Sequence, residues 1–452
     1  MFPRADTALF RIEIVERKDV AMTTTSDLSV GVGCALAQGK TKIIFYDGDG
    51  DVLVQSKDDI TAGDGAKHDL IKGKAALSTR TTSNVFRLLK ACGIPVAFKE
   101  QTTDTAFLAK LCKMLPYEVV VRREAHGSFI KRNPGLTKGH LFPKLLVEFY
   151  LKTKGRRWNE HTLLCDDPLI VILGGKCRLY EASKQLNLYM PFLELDLKEI
   201  HEQADNIALL DQMDNLARCT FLVLEKAWQI LGRKIVDFKV EFGTGPDGEL
   251  LLADVIDNDS WRVIEDGRYI DKQVYRDGGS LDEVTEKYRR VADLTDRFVL
   301  PKQRIVVWSG SDKDADGVRK IVNAIVQYVG EGVPEYREVV RSVHKKPVQA
   351  IEALQDLLQE VPDSVVIAYI GRSNGAGPVL SAATTTPVIT VPASVKDFPD
   401  DVWSSLRTPS DVPVMTILEP SNAALAALNI LSARNPLIYM RLREKLEERF
   451  DS

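Results

Sequence analysis

The sequence of 452 residues lacks the features that mark several protein classes. Its six cysteines include no CxxC pair, which argues against a zinc site or a disulfide framework and suits a reducing compartment. No apolar run reaches the ~18 residues that a membrane span needs, so no membrane partner is expected. The net charge is only -4, so bulk attraction to nucleic acid is not expected either.

The N-terminus also lacks a recognisable targeting signal. Residues 1–27 have no long apolar core, and they mix arginines with acidic residues, whereas transit peptides are poor in acids. We therefore expect a cytoplasmic protein whose residues 1–27 form a disordered extension. The remaining composition, 44% hydrophobic and 27% charged, is ordinary for a globular protein, and the length suggests two or three domains.

The pattern of strands and helices divides the rest of the chain into two unlike halves. Residues 28–277 combine strands with long amphipathic helices, which predicts an α+β domain. A polar-faced helix over 278–303 is interpreted as a linker. In residues 304–452, buried β-branched strands alternate with helices, which predicts a three-layer α/β/α domain with a flavodoxin-like parallel sheet. Its C-terminal helical stretch could pack on its own domain or on another subunit.

Lysines and carboxylates of the first half form a candidate triphosphate site. Lys40 and Lys42 are two residues apart and share a face on a strand, although the Walker A motif is absent. Lys239 and Glu241 also share a strand face, and Asp254 is placed on the adjacent strand, which suits Mg²⁺ and phosphate. The alternative is a hairpin with solvated carboxylates, but these acids directly follow an apolar strand, where unpaired charge costs free energy.

The basic segment VVVRREAHGSFIKRNPG follows an apolar strand. Arg122 can bind phosphate bidentately, and the Gly-Ser turn at Ser128 offers backbone N–H and hydroxyl donors. This combination suits the phosphate of a mononucleotide or a carboxylate. A nucleic-acid patch is the alternative, but no series of aromatic residues for base stacking accompanies it.

Five segments in order resemble SAICAR synthetase, phosphoribosylaminoimidazole-succinocarboxamide synthase, over about Ala37 to Asp277: GKTK, SKDDITAGDGAKHDLIKGKAALS, VVVRREAHGSFIKRNPG, DFKVEFG and LADVIDNDSWR. The resemblance implies that ATP activates the carboxylate of carboxyaminoimidazole ribonucleotide (CAIR) as an acyl phosphate, which the amine of L-aspartate displaces to give SAICAR. It implies ATP contacts for Lys40, Lys42, Lys239 and Glu241, Mg²⁺ ligation by Glu241 and Asp254, ribotide binding by Arg122, Ser128 and Arg262, and catalytic positions for Lys239 and Asp259. Relatives often carry an Asp-Pro run where TKGRRWNE stands, and Asp166 and Asp167 could replace it.

Three polar turns follow strands of the second half. The first contains Ser311 and Asp314, and the second contains Ser342 with His344 and Lys345. The third turn is YIGRSNGAGP. Because open α/β sheets bind ligands at the carboxyl ends of their strands, these turns predict a second ligand site. Ordinary capped turns and a structural histidine are the alternative.

The same turns resemble class II AIR carboxylase over Arg304 to about Ile430. The resemblance implies direct use of CO₂ on aminoimidazole ribonucleotide (AIR), without biotin, ATP or metal. It implies ribotide binding by Ser311, Asp314, Ser342, Gly371, Arg372 and Ser373, and a carboxylation site formed by His344, Lys345 and Asn374. Both halves in this order resemble the bifunctional enzymes of animals, which implies a homo-octamer.

Some positions depart from the carboxylase pattern and leave alternatives open. Lys313 replaces a small polar residue, and Ala382 and Ala383 replace a glycine and a polar amide near the expected CO₂ site. One alternative is therefore an active synthetase whose carboxylase half is impaired and serves as an assembly scaffold. The others are a nucleotide-binding regulator without chemistry, which would lack the set of Lys239, Glu241 and Asp254, and an RNA-binding protein.

Overall fold

The computed structural model describes residues 33–62, 67–173, 175–200 and 206–450. The expected extension over 1–27 lies outside the described residues. No helix among the described residues is both long enough and apolar enough to span a membrane.

The first unit, the described residues up to 300, begins with a small antiparallel sheet. Its first elements are β1 (Ala35–Gln38), β2 (Lys42–Gly48), β3 (Asp51–Ser56), β4 (Asp59–Ala62), β5 (Lys67–Leu70), α1 (Lys74–Ala91), β6 (Phe98–Thr103) and β7 (Ala106–Lys110). Five of these strands form a sheet in the order β1-β2-β3-β7-β6, and β4 pairs with β5. The helix α1 ends before Gly93, whose φ of 76° allows the chain to turn, as the sequence predicted.

A nine-stranded antiparallel sheet forms the body of the first unit. Its elements and their neighbours are β8 (Lys113–Glu124), α2 (Ser128–Arg132), β9 (Leu141–Leu151), β10 (Arg157–Trp158), β11 (His161–Thr162), β12 (Leu169–Leu173), β13 (Lys176–Tyr180), β14 (Leu193–Asp196), α3 (Leu197–Ile200), α4 (Asn206–Ile230), β15 (Lys234–Thr244), β16 (Leu250–Leu252), β17 (Trp261–Glu265), β18 (Arg268–Tyr269), α5 (Gln273–Arg276) and α6 (Leu281–Thr295). The strand order is β14-β13-β12-β9-β8-β15-β17-β18, with β16 paired to β15.

The long helix α4 covers one face of this sheet. Side chains of α4 such as Phe221 and Trp228 are fully buried, and Phe221 meets Phe238 of β15 edge to face at 5.4 Å. Because successive strand residues point to opposite faces, the residues between these apolar ones face away from α4. That second face carries the polar side chains described below.

The second unit, residues 301–450, is a parallel sheet between two helical layers. Its elements are β19 (Arg304–Ser309), α7 (Ala315–Val329), β20 (Glu335–Val340), α8 (Pro347–Glu360), β21 (Ser364–Ile370), α9 (Ala376–Ala382), β22 (Val388–Pro392), α10 (Trp403–Leu406), β23 (Met415–Thr416), α11 (Pro420–Ser432) and α12 (Pro436–Glu448). The parallel order is β20-β19-β21-β22-β23. Ile305 and Val307 pack with α7 and α11, whereas Val306 and Trp308 pack with α8 and α9. The predicted three-layer α/β/α fold is confirmed.

The predicted C-terminal helical stretch forms two helices, α11 and α12. Pro436 stands at the start of α12, and the side chain of Asn435 accepts a hydrogen bond of 3.0 Å from the Ile438 amide. This break turns α12 away from α11 and toward α4 of the first unit.

Candidate active sites

The polar face of the nine-stranded sheet carries the first candidate site. In the register of β8 and β15, Arg122 stands opposite Asp237, and Glu118 stands opposite Glu241. Lys239 lies between the two acids of β15 on the same face, and the sequence predicted this shared face for Lys239 and Glu241. The alternation of polar and apolar residues in both strands therefore places these five charged side chains together.

Each charged group of this cluster has a partner of opposite sign. Lys239 Nζ is 2.7 Å from Glu118 Oε2, and Lys152 Nζ is 2.5 Å from Glu241 Oε2. Burial acts to lower the pKa of Lys239, but the carboxylates of Glu118, Glu241 and Asp259 together outweigh it and the net shift is upward. Glu118 and Lys152 were missed by the sequence reasoning, although Glu118 shares a strand face with Arg122, and this spacing could have revealed it.

The end of β16 brings Asp254 to the same cluster. Asp254 forms an ion pair with Lys42, and the amide of Ala253 donates a hydrogen bond of 3.1 Å to the carbonyl of Glu241. Burial lowers the pKa of Lys42 to about 8, although the carboxylate of Glu241 acts in the opposite direction. Lys40 lies in the exposed turn before β2. The structure therefore brings together Lys42, Lys239, Glu241 and Asp254, whereas Lys40 makes no side-chain contact with them.

The donor set of this cluster suits magnesium better than zinc. Among the described residues, no group of three or more His, Cys, Asp and Glu side chains could hold a metal ion. Mg²⁺ is commonly held by one or two carboxylates together with substrate phosphates and waters. Glu241 and Asp254 supply such a pair beside lysines that can neutralise phosphate.

A buried hydrogen-bond network fixes Asp259. Its Oδ1 accepts a hydrogen bond of 2.5 Å from the Tyr288 hydroxyl, and its Oδ2 accepts one of 3.0 Å from Lys272. Burial acts to raise the pKa of Asp259, but Lys74 and Lys272 outweigh it and hold the pKa below its usual range. Burial and the charge of Asp259 raise the pKa of the neighbouring Asp257. Because Tyr288 belongs to α6, the predicted linker helix contributes to this site.

The basic segment is largely buried. Arg122, only 3% exposed, donates hydrogen bonds of 2.7 Å to Glu148 and to Asp237, and Arg132 pairs with Glu148. Buried and neutralised arginines cannot form a nucleic-acid surface, so the RNA-binding alternative is disfavoured. Arg262 also donates to Asp237, at 2.6 Å.

Ser128 and Arg262 lie at the surface of this arginine cluster. Ser128 begins α2 and is exposed. Gly127, with φ of 57°, lies directly against Arg262, and a Cβ at Gly127 would be 2.8 Å from Arg262 Cζ. A residue without a side chain is therefore needed for the guanidinium to reach this turn.

The carboxyl edge of the parallel sheet carries the second candidate site. The carboxylate of Asp314 accepts hydrogen bonds from the amides of Gly310 at 3.2 Å and Ser311 at 3.1 Å. Its other oxygen faces Gly371, where a Cβ would be 3.4 Å away. The first and third predicted turns are thus neighbours.

His344 joins the second turn to the third. Its Nε2 is 3.0 Å from the carbonyl oxygen of Ser373, and the Ser342 hydroxyl accepts a hydrogen bond of 3.3 Å from the Lys345 amide. Lys345 is exposed, and Arg372 stacks over Phe398 at 4.5 Å. All three predicted turns therefore meet at one edge.

The segment around α10 completes this edge and was missed by the sequence reasoning. Asp401 accepts a hydrogen bond of 2.9 Å from the Asn374 amide, Ser404 accepts one of 3.1 Å from Ser373, and Ser405 accepts one of 2.6 Å from the Asn374 side chain. Asn374 is fully buried, and among the described residues its Oδ1 has no hydrogen-bond partner. Nothing in the local sequence marks this segment, because its partners lie about thirty residues upstream.

The departures from the carboxylase pattern lie at the margin of this edge. Lys313 is exposed in the 3₁₀ turn over Asp312–Asp314, and Ala382 is exposed at the end of α9. Ala383 follows as the C-cap of α9.

Family comparisons agree with this two-unit organisation. The SAICAR synthetase family model matches residues 35–169 and 194–294, and the AIR carboxylase family model matches residues 304–451. The chain is 36% identical to the probable multifunctional protein ADE2 of Caenorhabditis elegans, covering 89% of this chain and 91% of that protein. It is also 36% identical to the human bifunctional phosphoribosylaminoimidazole carboxylase/phosphoribosylaminoimidazole succinocarboxamide synthetase, covering 92% and 94%.

Among solved structures, a type-2 SAICAR synthetase in complex with ADP is 27% identical, with a TM-score of 0.46, and covers 57% of this chain and 96% of that chain. The two family matches divide the chain where its two units meet, and the relatives share both halves over nearly their whole length. The chain therefore belongs to the family of bifunctional phosphoribosylaminoimidazole carboxylase/phosphoribosylaminoimidazole succinocarboxamide synthetases.

Proposed function

We propose that this chain catalyses two consecutive reactions of purine synthesis, carboxylation of AIR to CAIR and ATP-dependent ligation of CAIR with L-aspartate. The observation that carries the proposal is the presence of two separate polar sites in one chain of the bifunctional family. One lies on the open face of the nine-stranded sheet and the other at the carboxyl edge of the parallel sheet. The product of the second unit is the substrate of the first.

In the first unit, lysines bind the phosphates of ATP and two carboxylates face the metal. Lys40, Lys42 and Lys239 neutralise phosphate oxygens, while Glu241 and Asp254 would hold Mg²⁺, which would supply further charge neutralisation. The carboxylate of CAIR attacks the γ-phosphorus and ADP leaves. The amine of aspartate then attacks the acyl phosphate, so that an amide forms, phosphate leaves and the amine loses a proton.

The ribotide phosphate of CAIR binds at the arginine cluster. Ser128 and Arg262 lie at its surface, and the buried Arg122 stands beneath them, linked to Arg262 through Asp237. Asp259, held by Tyr288, orients the ribotide. Phosphoryl transfer depends mainly on such positioning and charge neutralisation rather than on a side-chain nucleophile.

In the second unit, the three turns hold AIR beside CO₂, and no biotin takes part. Ser311, Asp314, Ser342, Gly371, Arg372 and Ser373 bind the ribotide. His344, Lys345 and Asn374 surround the imidazole carbon that attacks CO₂ and then loses its proton. A cationic side chain near CO₂ stabilises the carboxylate that forms.

No observation favours an impaired carboxylase over an active one. Lys313 and Ala382 are exposed and take no part in the contacts that join the three turns. The family relatives carry both halves. We therefore infer that both reactions proceed.

Two separate assays on the full chain test the proposal. AIR with bicarbonate, without ATP or aspartate, should yield CAIR, whereas CAIR with ATP and aspartate should yield SAICAR. Chelation by EDTA should abolish only the ligation of CAIR with aspartate, because only the first unit uses a metal. Excess Mg²⁺ should restore the ligation. Absence of CAIR formation would support the scaffold alternative, and ligation that persists in EDTA would contradict the Mg²⁺ assignment.

We infer that the chain assembles as a homo-octamer in the cytoplasm. Large apolar side chains of the second unit remain exposed, including Val340 at 55%, Val348 at 63% and Leu418 at 56%, as expected where subunits meet. The unpaired state of the described cysteines suits a reducing compartment. Size-exclusion chromatography with light scattering should give eight times the 50.4 kDa of the chain, and a monomer at micromolar concentration would contradict the octamer.

A further inference from the structure

The last helix of the chain joins the second unit to the first. α12 lies within the segment that matches AIR carboxylase, yet its Leu437 and Met440 are buried in the same hydrophobic core as Phe221 of α4. The hydroxyl of Tyr439 also donates a hydrogen bond of 2.8 Å to Glu225 of α4. α12 therefore packs in the core of the first unit as well as in that of the second, where its Ile438 is buried.

Glu447, near the end of α12, is the most deeply buried acid of this contact. The residue is 4% exposed, and its carboxylate accepts hydrogen bonds from Arg123 Nη2 at 2.7 Å, the Leu145 amide at 2.8 Å and Arg443 Nε at 2.8 Å. Two of these three donors belong to the first unit. A carboxylate accepts at several lone pairs without donating, so one ionised group can satisfy all three donors.

Arg123 is fully engaged by this contact. Its Nε and Nη2 donate to Glu225, its Nη1 donates to the carbonyls of Phe142 and Pro143, and its second Nη2 bond goes to Glu447. A buried guanidinium needs all of these partners, because a donor left without one costs its full desolvation free energy. Glu447 thus completes the coordination of Arg123.

This contact lies directly behind the proposed ribotide site. Arg122 and Arg123 are successive residues of β8 and point to opposite faces of the sheet. Leu145, which Glu447 holds through its amide, is three residues before Glu148 on β9, and Glu148 in turn binds Arg122 at 2.7 Å. Glu447 therefore holds β8 and β9, the two strands that position the buried Arg122.

We propose that Glu447 is a positioning residue of the synthetase site, through which the C-terminal helix of the carboxylase segment sets the affinity of the first unit for CAIR. The inference rests on the proposed function, because it assumes that the Arg122 cluster binds the ribotide. Glu447 touches no substrate. It acts by holding β8 and β9 in register behind Arg122.

The test is Glu447→Gln in the full chain, with Glu444→Gln as the matched control. The amide nitrogen of glutamine would oppose one of the three donors and cannot accept from it. Glu444, one turn earlier on α12, accepts from Asn215 of α4 at 3.0 Å, and none of its hydrogen bonds reaches β8. The two variants therefore disturb the same helix, but only one of them reaches the strands of the site.

The expected result for Glu447→Gln is a rise of roughly tenfold in KM for CAIR in the ligation reaction. KM for ATP and the carboxylation of AIR should stay unchanged, and Glu444→Gln should behave as the unmodified chain. A merely structural role would lower kcat with both KM values unchanged, and that result would overturn the proposal. Absence of ligation by the unmodified chain would instead refute the proposed function.

A milder variant keeps the proposal testable if Glu447→Gln does not fold. Tyr439→Phe removes only the hydroxyl that binds Glu225, the other carboxylate partner of Arg123. It should raise KM for CAIR by about two- to threefold, again without a change in KM for ATP. An unchanged KM for CAIR in a folded Tyr439→Phe chain would then overturn the proposal.

Discussion

Replacing Glu241 with glutamine should lower kcat for SAICAR formation on the order of a thousandfold, because metal-ion stabilisation of the transferring phosphoryl group contributes several kcal/mol. The carboxylate of Glu241 is paired with Lys152 at 2.5 Å and lies beside Asp254 at the end of β16. Glutamine keeps the shape of the side chain but removes the negative charge with which Glu241 would hold Mg²⁺. Steady-state ligation assays over a range of Mg²⁺ concentrations measure the loss.

The matched control is Glu249→Gln in the same unit. Glu249 is also ion-paired to a lysine, Lys110 at 2.6 Å, but it lies in the turn between β15 and β16. It should retain full ligation activity, and both variants should carboxylate AIR normally, which shows that the second unit is intact. An unchanged melting temperature of the first unit checks its fold. Ligation by Glu241→Gln within a few fold of the unmodified chain would contradict the metal assignment.

Although the edge strand β20 is largely exposed, the parallel sheet was predictable because its central strands, β19, β21 and β22, are buried on both faces. Such strands appear as continuous apolar runs, as in RIVVWSG, and the alternation with helices allows essentially one architecture. The positions of the three polar turns follow from the same rule, since the carboxyl ends of parallel strands share an edge. The contact between His344 and Ser373 could therefore have been predicted from the sequence.

The burial of the arginine cluster could not be predicted from the local sequence. The segment VVVRREAHGSFIKR indicates a basic surface. The carboxylates that pair with the buried Arg122, Asp237 and Glu148, come from the neighbouring strands β15 and β9. Burial of a charge depends on its partners, and these are fixed only when the sheet forms. The site residues themselves stay predictions until they are substituted.

The contact of α12 with the first unit could not be predicted from the sequence either. Glu447 and Arg123 are separated by 324 positions, so no spacing rule connects them. The sequence indicated only an apolar and then charged helical stretch that needs a packing surface. Likewise, α6 was interpreted as a linker, whereas the Tyr288 hydroxyl reaches Asp259.

Replacing His344 with glutamine should lower kcat for AIR carboxylation by about a hundredfold or more, the usual contribution of a positioned proton-transfer group. The Ser373 carbonyl can only accept, so Nε2 of His344 is the donor across 3.0 Å. In the neutral ring, Nδ1 then carries no proton and can take the one that the imidazole carbon of AIR loses. Glutamine can keep the hydrogen bond to Ser373, but it cannot accept this proton as a base.

Lys346→Gln is the control for this variant, because Lys346 is exposed in the same turn and caps α8 instead of facing Ser373. Disappearance of AIR in bicarbonate measures carboxylation, and ligation of supplied CAIR in the same preparation reports on the first unit. Since the two reactions use different sites, the His344→Gln variant should lose only the carboxylation of AIR. Loss of both would indicate damage to the fold, and carboxylation within twofold of the unmodified chain would exclude His344 as the proton acceptor.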